Sequence, residues 1–224
     1  MSDYLALYAA NKGSLFEKYR PSSFEQVLAQ PDAVKVLQRL IGKGNLTGRA
    51  VLFTGQTGTG KTTLARIAAA AIADDDFVQE IDSSDLTVAR LKAIEEEMNY
   101  AAWGKGGRCY IVNECHGLSR AVLTQLLVTL ERIPKHVLWC FTTTIDGQMK
   151  LDGMDDAAPF FSRCLPIDLA RRGLAEPFAQ FILDVANVEG LGGKDLNAAL
   201  KIVKENRNSL RASLQAVEAG ALSA

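Results

Sequence analysis

The chain has 224 residues, of which 48% are hydrophobic and 23% are charged, and its formal net charge is −1 at pH 7. This composition excludes a disordered or collagen-like chain and allows one large or two small globular domains. A net charge so close to zero creates no global basic field, so any contact with nucleic acid would depend on a local patch.

The cysteines and the N-terminal residues indicate the cellular compartment. The four cysteines show neither C-x-x-C spacing nor short regular intervals, so we expect buried free thiols rather than a disulfide framework or a zinc site. An acid stands where a signal peptide would have a basic region, and no apolar run reaches membrane-spanning length. These features predict a cytoplasmic protein that does not enter a membrane. The cysteines are Cys109, Cys115, Cys140 and Cys164.

The first half of the chain begins with a turn and a helix. Apolar residues recur near helical spacing from about Phe24 to Leu40, interrupted at Pro31. The run A-V-L-F-T at 50–54 is ended by a glycine and predicts a buried parallel strand. An alanine-rich helix is predicted from Thr62 to Ile72.

Strands and helices then alternate. We predict strands at 77–82, 108–114 and 136–144, with helices at about 85–100 and at 119–131. This alternation indicates crossover units around a parallel sheet. A last strand at 164–169 precedes a purely helical region with a glycine-rich break at 189–194, so we place a domain boundary near Pro166.

The run G-Q-T-G-T-G-K-T-T at 55–63 predicts a phosphate-binding loop, because it lies between a buried strand and a helix. Glycines let backbone N–H groups converge on phosphates, and the helix N-terminus adds a positive dipole end. Lys61 would reach the β- and γ-phosphates, and the Thr62 hydroxyl could bind Mg²⁺. The alternative is a glycine-rich turn with a surface lysine. The predicted nucleotide-binding residues of the loop are Gly55, Thr57, Gly58, Thr59, Gly60, Lys61, Thr62 and Thr63.

The strand at 108–114 ends in Asn113-Glu114, where such sites normally hold two acids. Glu114 retains the role of polarising the attacking water. Asn113 offers a neutral carbonyl oxygen that can accept a hydrogen bond from a metal-bound water but adds no charge toward Mg²⁺. We therefore expect hydrolysis that is weakened rather than absent.

With these elements placed, the chain resembles clamp-loader-type AAA+ ATPases, the group that contains bacterial DNA polymerase III gamma/tau subunits and replication factor C small subunits. The resemblance implies an N-terminal extension at 1–14, an α/β P-loop NTPase (AAA+) core at 15–166 whose parallel sheet is sandwiched by helices, and a small α-helical lid domain at 167–224. Ala29 replaces the family's glycine. The similar segments are L-F-E-K-Y-R-P-S-S-F-E-Q-V-L-A-Q at 15–30, V-Q-E-I-D-S-S-D at 78–85, N-E-C-H-G-L-S-R-A-V-L-T-Q-L-L-V-T-L-E at 113–131 and F-F-S-R-C at 160–164.

The resemblance also implies roles for single residues. Arg163, in the Ser-Arg-Cys triplet, would reach the nucleotide of the neighbouring subunit, as an arginine finger does. Thr144 would be the first sensor and Arg211, in the lid, the second. A surface salt bridge, an ordinary strand end and a solvated helix face are the respective alternatives. The residues expected on the adenine side are Tyr19, Arg20, Pro21 and Val27.

DNA contacts in this family come from helices that line the inside of a spiral, and they go largely to phosphates. Scattered basic residues on a solvated helix are the alternative explanation for the candidates in this chain. The implied cofactors are ATP and Mg²⁺, and the implied partners are identical or related AAA+ subunits in a ring or spiral, a sliding clamp and primer-template DNA. The candidate DNA-binding residues are Arg90, Lys92, Lys105 and Arg108.

Three functions stay open at this point. The first is a clamp-loader ATPase that loads a sliding clamp during replication. The second is another AAA+ remodeller, for branch migration or protein remodelling, which is favoured because we expect no helical collar after the lid. The third is a nucleotide-binding scaffold with weak hydrolysis, which Asn113 favours. The acidic segment 145–159 is longer than its family counterpart, and we assign it no role.

Overall fold

The computed structural model describes residues 5, 8, 13–144, 146–147, 157–193 and 195–222. Within these ranges the contacts divide the chain into two compact units. The larger unit contains the described residues of 32–55 and 61–169, and the smaller contains those of 1–31, 56–60 and 170–224. The helices are α1 (Leu15–Lys18), α2 (Pro31–Gly42), α3 (Lys61–Ala70), α4 (Val88–Glu97), α5 (Arg120–Glu131), α6 (Ala157–Arg163), α7 (Ala175–Val188), α8 (Leu196–Glu205) and α9 (Leu210–Glu218).

The larger unit is built on a sheet of five parallel strands in the order β2-β3-β4-β1-β5. β4 is buried at every position, as expected for a strand covered on both faces. The register brings the carboxyl ends of β1, β3 and β4 to one edge, which is where ligands bind in open α/β sheets. The strands are β1 (Arg49–Thr54), β2 (Val78–Asp82), β3 (Arg108–Asn113), β4 (Val137–Thr143) and β5 (Cys164–Asp168).

An aromatic stack forms the centre of the larger unit's core. Tyr110 stacks on Trp139 with ring centroids 4.9 Å apart, and Trp139 stacks on Phe141 at 5.7 Å. Phe160 of α6 meets Phe141 edge-on at 5.0 Å. All four side chains are fully buried. Each contributes roughly 1.5–3 kcal/mol through burial, so this stack anchors the strands whose ends carry the candidate site.

The smaller unit has its own hydrophobic core, made by α7, α8 and α9 together with the segment that contains α1. Tyr8 and Tyr19 pack against Phe181 of α7 at centroid distances of 6.0 and 6.2 Å. Side-chain caps define the starts of the last two helices, because Asp195 accepts from the N–H of Asn197 and Ser209 accepts from that of Ala212. The smaller unit is therefore helical.

The structure confirms the predicted fold class, and each of the five predicted strands is found within one residue of its expected limits. The grouping of residues 13–31 with the C-terminal helices was not predicted, and β5 continues to Asp168, past the boundary expected near Pro166. The domain limits 1–14, 15–166 and 167–224 stay a prediction. The acidic segment 145–159 lies mostly outside the described residues.

Within the described ranges, no helix combines the length and hydropathy of a membrane span, and no three His, Cys, Asp or Glu side chains cluster where they could hold a metal. The four cysteines are buried free thiols. The sequence predicted that state from the irregular spacing of the cysteines and from the positions of three of them in or beside apolar runs.

Candidate functional site

The loop between β1 and α3 has the backbone of a phosphate cradle. Gly58 and Gly60 have φ angles of +78° and +104°, which glycine adopts without a Cβ penalty. Lys61 begins α3, is buried, and donates from Nζ to the Gly55 carbonyl at 3.1 Å. The lysine thus ties the start of α3 to the start of the loop. The positive end of the α3 dipole lies at Lys61, where the helix begins.

Asn113 is the centre of a hydrogen-bond network at the ends of the strands. Its Oδ1 accepts from the hydroxyls of Thr62 at 3.0 Å and Thr142 at 3.3 Å. Its Nδ2 donates to the carboxylate of Glu80, on β2, at 2.6 Å. The same carboxylate is held by Nε of Arg66, on α3, at 2.6 Å. The amide therefore directs its oxygen toward Thr62 and its nitrogen toward an acid.

Glu114 follows Asn113 in a left-handed conformation, with φ +50° and ψ +49°. Such strain costs about 1–3 kcal/mol for a residue other than glycine, and it is concentrated at functional sites. Its N–H donates to the Thr142 hydroxyl at 3.2 Å, and its carboxylate lies 3.3 Å from His116 Nδ1. The Glu114 side chain is 49% exposed, so its carboxylate is open to solvent, and its role toward the attacking water stays a prediction.

The thiol next to this carboxylate is inert. Burial, together with the smaller effect of the neighbouring Glu114 charge, raises the pKa of Cys115 to about 12, against a weaker opposing hydrogen bond with Thr143. Cys115 therefore stays protonated at neutral pH and cannot act as a nucleophile.

Two threonines at the end of β4 have different contacts, and the one nearer Asn113 is not the one that was predicted as a sensor. Thr144, the predicted first sensor, lies just beyond β4 and accepts from the N–H of Gly147 at 3.0 Å. Thr142, which the sequence reasoning did not single out, contacts both Asn113 and the N–H of Glu114. Residues two apart on a strand face the same side, so the T-T-T run alone could not distinguish Thr142 from Thr144. The sensor role of Thr144 stays a prediction.

In the smaller unit, Gln30 binds the backbone of the phosphate loop. Its side chain is buried, donates to the Thr59 carbonyl at 3.5 Å and accepts from the Ala170 N–H at 2.6 Å. The sequence analysis gave Gln30 no role of its own, although it ends the similar segment at 15–30. An amide is suited to this position because it satisfies a backbone acceptor and a backbone donor at once.

The N-terminus of α9 also meets the loop. The N–H of Leu210 donates to the Gly58 carbonyl at 3.3 Å, and a Cβ at Gly58 would overlap the Ser209 hydroxyl. The next residue, Arg211, is exposed, with its guanidinium carbon 5.4 Å from the ring centroid of Phe16. The helix that carries the predicted second sensor therefore starts against the loop. The role of Arg211 stays a prediction.

Of the residues expected near adenine, Tyr19 is a core residue. Its ring is buried, and its hydroxyl donates to the Glu189 carboxylate, which Lys18 Nζ also contacts at 2.6 Å. Burial raises the pKa of Tyr19 strongly, while the hydrogen bond from Lys18 lowers that of Glu189. Arg20 pairs with Glu17, and the two remaining candidates are half-buried; these are Pro21 and Val27. Their contact with a nucleotide stays a prediction.

Arg163 forms an ion pair within its own protomer. One guanidinium nitrogen donates to the Glu131 carboxylate, and the other donates to the Pro159 carbonyl at 2.8 Å. This is the contact that the alternative interpretation of the residue predicts. Because Arg163 is 27% exposed and Glu131 57% exposed, the pair contributes at most about 1 kcal/mol. A role toward a neighbouring subunit stays open.

The predicted DNA-binding residues are spread over α4, the loop before β3 and the first residue of β3. Arg90 and Lys92 are exposed on α4. The other two have intramolecular partners, since Lys105 Nζ donates to a backbone carbonyl of α3 at 2.7 Å and Arg108 Nε donates to the Tyr100 carbonyl at 2.8 Å. Contact of any of the four residues with DNA stays a prediction.

Sequence comparisons show which known proteins this chain is similar to. The model of the TIP49 P-loop domain family matches residues 17–101. The DNA polymerase III gamma/tau subunit of Mycoplasma genitalium is 29% identical over 91% of this chain and 36% of its own length. The tau subunits of Bacillus subtilis and Escherichia coli are each 27% identical, over 70% and 71% of this chain. The chain spans about a third of the length of these relatives.

Structural comparison shows the fold. The RuvB Holliday-junction branch-migration motor of Thermotoga maritima superposes with a TM-score of 0.69 at 22% identity, covering 89% of this chain and 64% of that one. A point variant of the same protein gives a TM-score of 0.70 at 20% identity. The comparisons confirm a P-loop AAA+ fold and the resemblance to clamp-loader-type AAA+ ATPases.

Proposed function

We propose that this chain is an ATP-binding and ATP-hydrolysing subunit of a clamp loader or clamp-loader-like assembly, which loads a sliding clamp on primer-template DNA in the cytoplasm. The observation that carries the proposal is the hydrogen bond from Thr62, at the start of α3, to Asn113, at the end of β3. It joins the phosphate loop to the strand end that carries Glu114. Relatives that are similar to 70% or more of this chain include DNA polymerase III subunits.

The residues present fit a Mg²⁺–ATP complex. The glycine backbone of the loop and Lys61 would hold the phosphates, and the hydroxyl of Thr62 with the amide oxygen of Asn113 supplies the hard oxygen donors that Mg²⁺ prefers. Bound Mg²⁺ neutralises charge on the phosphates during phosphoryl transfer. Glu114 would orient and polarise the attacking water through its exposed carboxylate.

The first experiment measures ATP-dependent association. Purified protein, alone and with the related subunits of its genome, is mixed with primer-template DNA and with the sliding clamp of the same genome, with and without ATP. We expect association only with ATP, and no association for Lys61→Ala. Wild type that binds neither DNA nor clamp under any nucleotide condition would refute the clamp-loader function.

Assembly is tested by complementation between defective subunits. Arg163→Ala would retain its own nucleotide loop but donate no finger, whereas Lys61→Ala would donate a finger but bind no nucleotide. Arg163→Ala alone should lose about 10³-fold or more in ATP turnover, because an arginine finger contributes that much. Lys61→Ala alone should show no turnover, because it binds no nucleotide. Mixing them should restore turnover at hybrid interfaces. A mixture no more active than its components would contradict a trans-acting Arg163.

The DNA interface is tested by neutralising Arg90 and Lys92 together. Each lost phosphate contact should reduce the dependence of log affinity on log salt by about 0.9. The matched control neutralises Lys201 and Lys204 on α8, which removes two charges from a different unit. Equal effects of the two double variants would show that the contacts are non-specific.

A second candidate, a nucleotide-dependent scaffold, is favoured by the neutral side chain of Asn113. It predicts ATP-dependent assembly with negligible turnover. Steady-state phosphate release by the assembled wild type separates the two functions, because the clamp-loader proposal requires hydrolysis for release of clamp and DNA. Closed six-membered rings in electron micrographs, rather than open five-membered spirals, would instead favour a different AAA+ remodeller.

A further inference from the structure

Asn113 raises an orientation problem that a carboxylate does not. An aspartate has two equivalent oxygens, whereas an asparagine presents an acceptor in one orientation and a donor in the other. Only the orientation with Oδ1 toward Thr62 leaves an oxygen for a metal or for a metal-bound water. Something at the site must therefore select that orientation.

Glu80 provides the selection. Its Oε1 lies 2.6 Å from Asn113 Nδ2 and can only accept, so the reverse orientation would bring the amide oxygen against a carboxylate. The two hydroxyls on the other side, from Thr62 and Thr142, are both within 3.3 Å of Oδ1. Donors on one side and an anion on the other leave one favourable arrangement.

Glu80 is itself held in place. Arg66 Nε lies 2.6 Å from Glu80 Oε2, the oxygen that Asn113 does not use. Arg66 and Thr62 lie four residues apart on α3, on one face of the helix. The chain of contacts therefore runs from α3 through β2 to β3 and back to α3. All four side chains belong to the larger unit.

We propose that Glu80 is a positioning residue of the nucleotide-bound metal site, which orients the Asn113 amide and supplies the negative charge that Asn113 lacks. A charge-assisted hydrogen bond from Nδ2 is stronger than a neutral one and polarises the amide, which makes Oδ1 a better acceptor. The negative charge that an aspartate at position 113 would carry is thus present on Glu80, the neighbour of Asn113. This inference rests on the proposed nucleotide-binding function.

The test uses a cycle of four proteins: wild type, Glu80→Ala, Asn113→Asp and the double variant. Binding of a fluorescent ATP analogue is titrated with Mg²⁺ and repeated in EDTA. Glu80→Ala should raise the Mg²⁺ concentration for half-maximal binding by about 10- to 100-fold, the usual loss when a residue that orients a metal ligand is removed. Affinity in EDTA should stay within about threefold of wild type.

The double variant should recover Mg²⁺ dependence to within about threefold of wild type, because an aspartate needs no orienting partner. Asn113→Asp alone should be worse than the double variant, since it places a second carboxylate against Glu80. Equal effects of Glu80→Ala in the Asn113 and the Asn113→Asp backgrounds would overturn the inference.

Glu97→Ala is the matched control. Glu97, the last residue of α4, accepts a hydrogen bond at 2.8 Å from Nε2 of Gln79, the β2 residue next to Glu80. It therefore forms the same type of carboxylate–amide pair beside the proposed one. Its removal should leave the Mg²⁺ dependence unchanged. An effect as large as that of Glu80→Ala would mean that both variants act by destabilising β2, and the positioning role would be withdrawn.

Thermal unfolding without nucleotide separates this inference from the proposed function. Asn113→Asp should lower the unfolding midpoint by about 2–4 °C when Glu80 is present and have no such effect in the Glu80→Ala background. If wild type binds no nucleotide, the proposed function fails. The pairing of Glu80 with Asn113 is then decided by the unfolding midpoints alone, that is, by whether the effect of Asn113→Asp depends on the presence of Glu80. Absence of the coupling overturns the inference, whatever the nucleotide binding.

Discussion

Arg207 occupies a backbone position that this chain elsewhere gives to glycine. After α8 the N–H of Asn208 donates to the Val203 carbonyl at 2.9 Å, and that of Arg207 to the Lys204 carbonyl at 3.0 Å. These two bonds define a Schellman motif, whose left-handed position falls on Arg207 with φ +53°. After α7 the same motif has Gly190 there, with φ +68°.

The reciprocal substitutions have a calculable effect. A left-handed conformation costs about 1–2 kcal/mol for a residue with a Cβ. Glycine avoids this cost but gives up about 0.4–1 kcal/mol, because the unfolded chain gains freedom. Arg207→Gly should therefore exceed Arg207→Ala in stability by about 0.5–1 kcal/mol. Gly190→Ala should lose a similar amount, since a Cβ at Gly190 would meet nothing within 4 Å and only the backbone conformation matters.

Arg207→Ala is the necessary reference, because Arg207 is exposed and its charge near the C-terminus of α8 interacts with the helix dipole. The assay is thermal and urea unfolding of the four proteins, where about 1 kcal/mol shifts the midpoint of a chain this size by about 2–4 °C. The expected order places Arg207→Gly above Arg207→Ala, and wild type above Gly190→Ala. If Arg207→Gly is no more stable than Arg207→Ala, the strain argument is wrong.

Three further predictions concern the loop, the thiols and the pH dependence. Gly58→Ala should lower the unfolding midpoint more than Gly60→Ala in a thermal scan, because both have positive φ but only the first Cβ would overlap Ser209. With burial raising the pKa of Cys115 to about 12, Ellman's reagent at pH 8 should leave this thiol unmodified until denaturant is added. Hydrogen bonds from Lys18 and Tyr19 lower the pKa of Glu189. The stability that Glu189 contributes is therefore present above its ordinary pKa and is lost as the pH falls through its pKa in the folded protein. In urea titrations between about pH 5 and pH 3, Glu189→Gln should lose less stability than wild type.

The sheet and the loop could be predicted because their signals are local. A parallel strand buried on both faces is a continuous apolar run, and the apolar runs of β1, β3 and β4 are followed by polar residues, which are Thr54, Asn113 and Thr142. The phosphate loop was recognisable from spacing combined with its position between β1 and α3. These features depend on neighbouring residues in the chain and need no knowledge of tertiary contacts.

The residues that support the site could not be predicted in this way. Glu80 is an exposed residue of β2 next to the buried Ile81, and only strand pairing brings it to Asn113. Gln30 is buried because of partners at residues 59 and 170, which its own segment does not indicate. The run of three threonines at 142–144 did not show which hydroxyl reaches Asn113, because that depends on where the strand ends and on its pairing with β3.

The position of Glu80 changes how a restoring substitution at Asn113 must be interpreted. In an isolated site, replacing the amide by an acid would add the missing charge and raise turnover. Here the new carboxylate would lie against Glu80, at the 2.6 Å separation that now joins a donor to an acceptor. One of the two acids would have to bind a proton or move, and the charge gained toward Mg²⁺ would be offset. Low turnover by Asn113→Asp alone is therefore compatible with an active ATPase, and only the variant that also lacks Glu80 tests whether charge at this position limits hydrolysis.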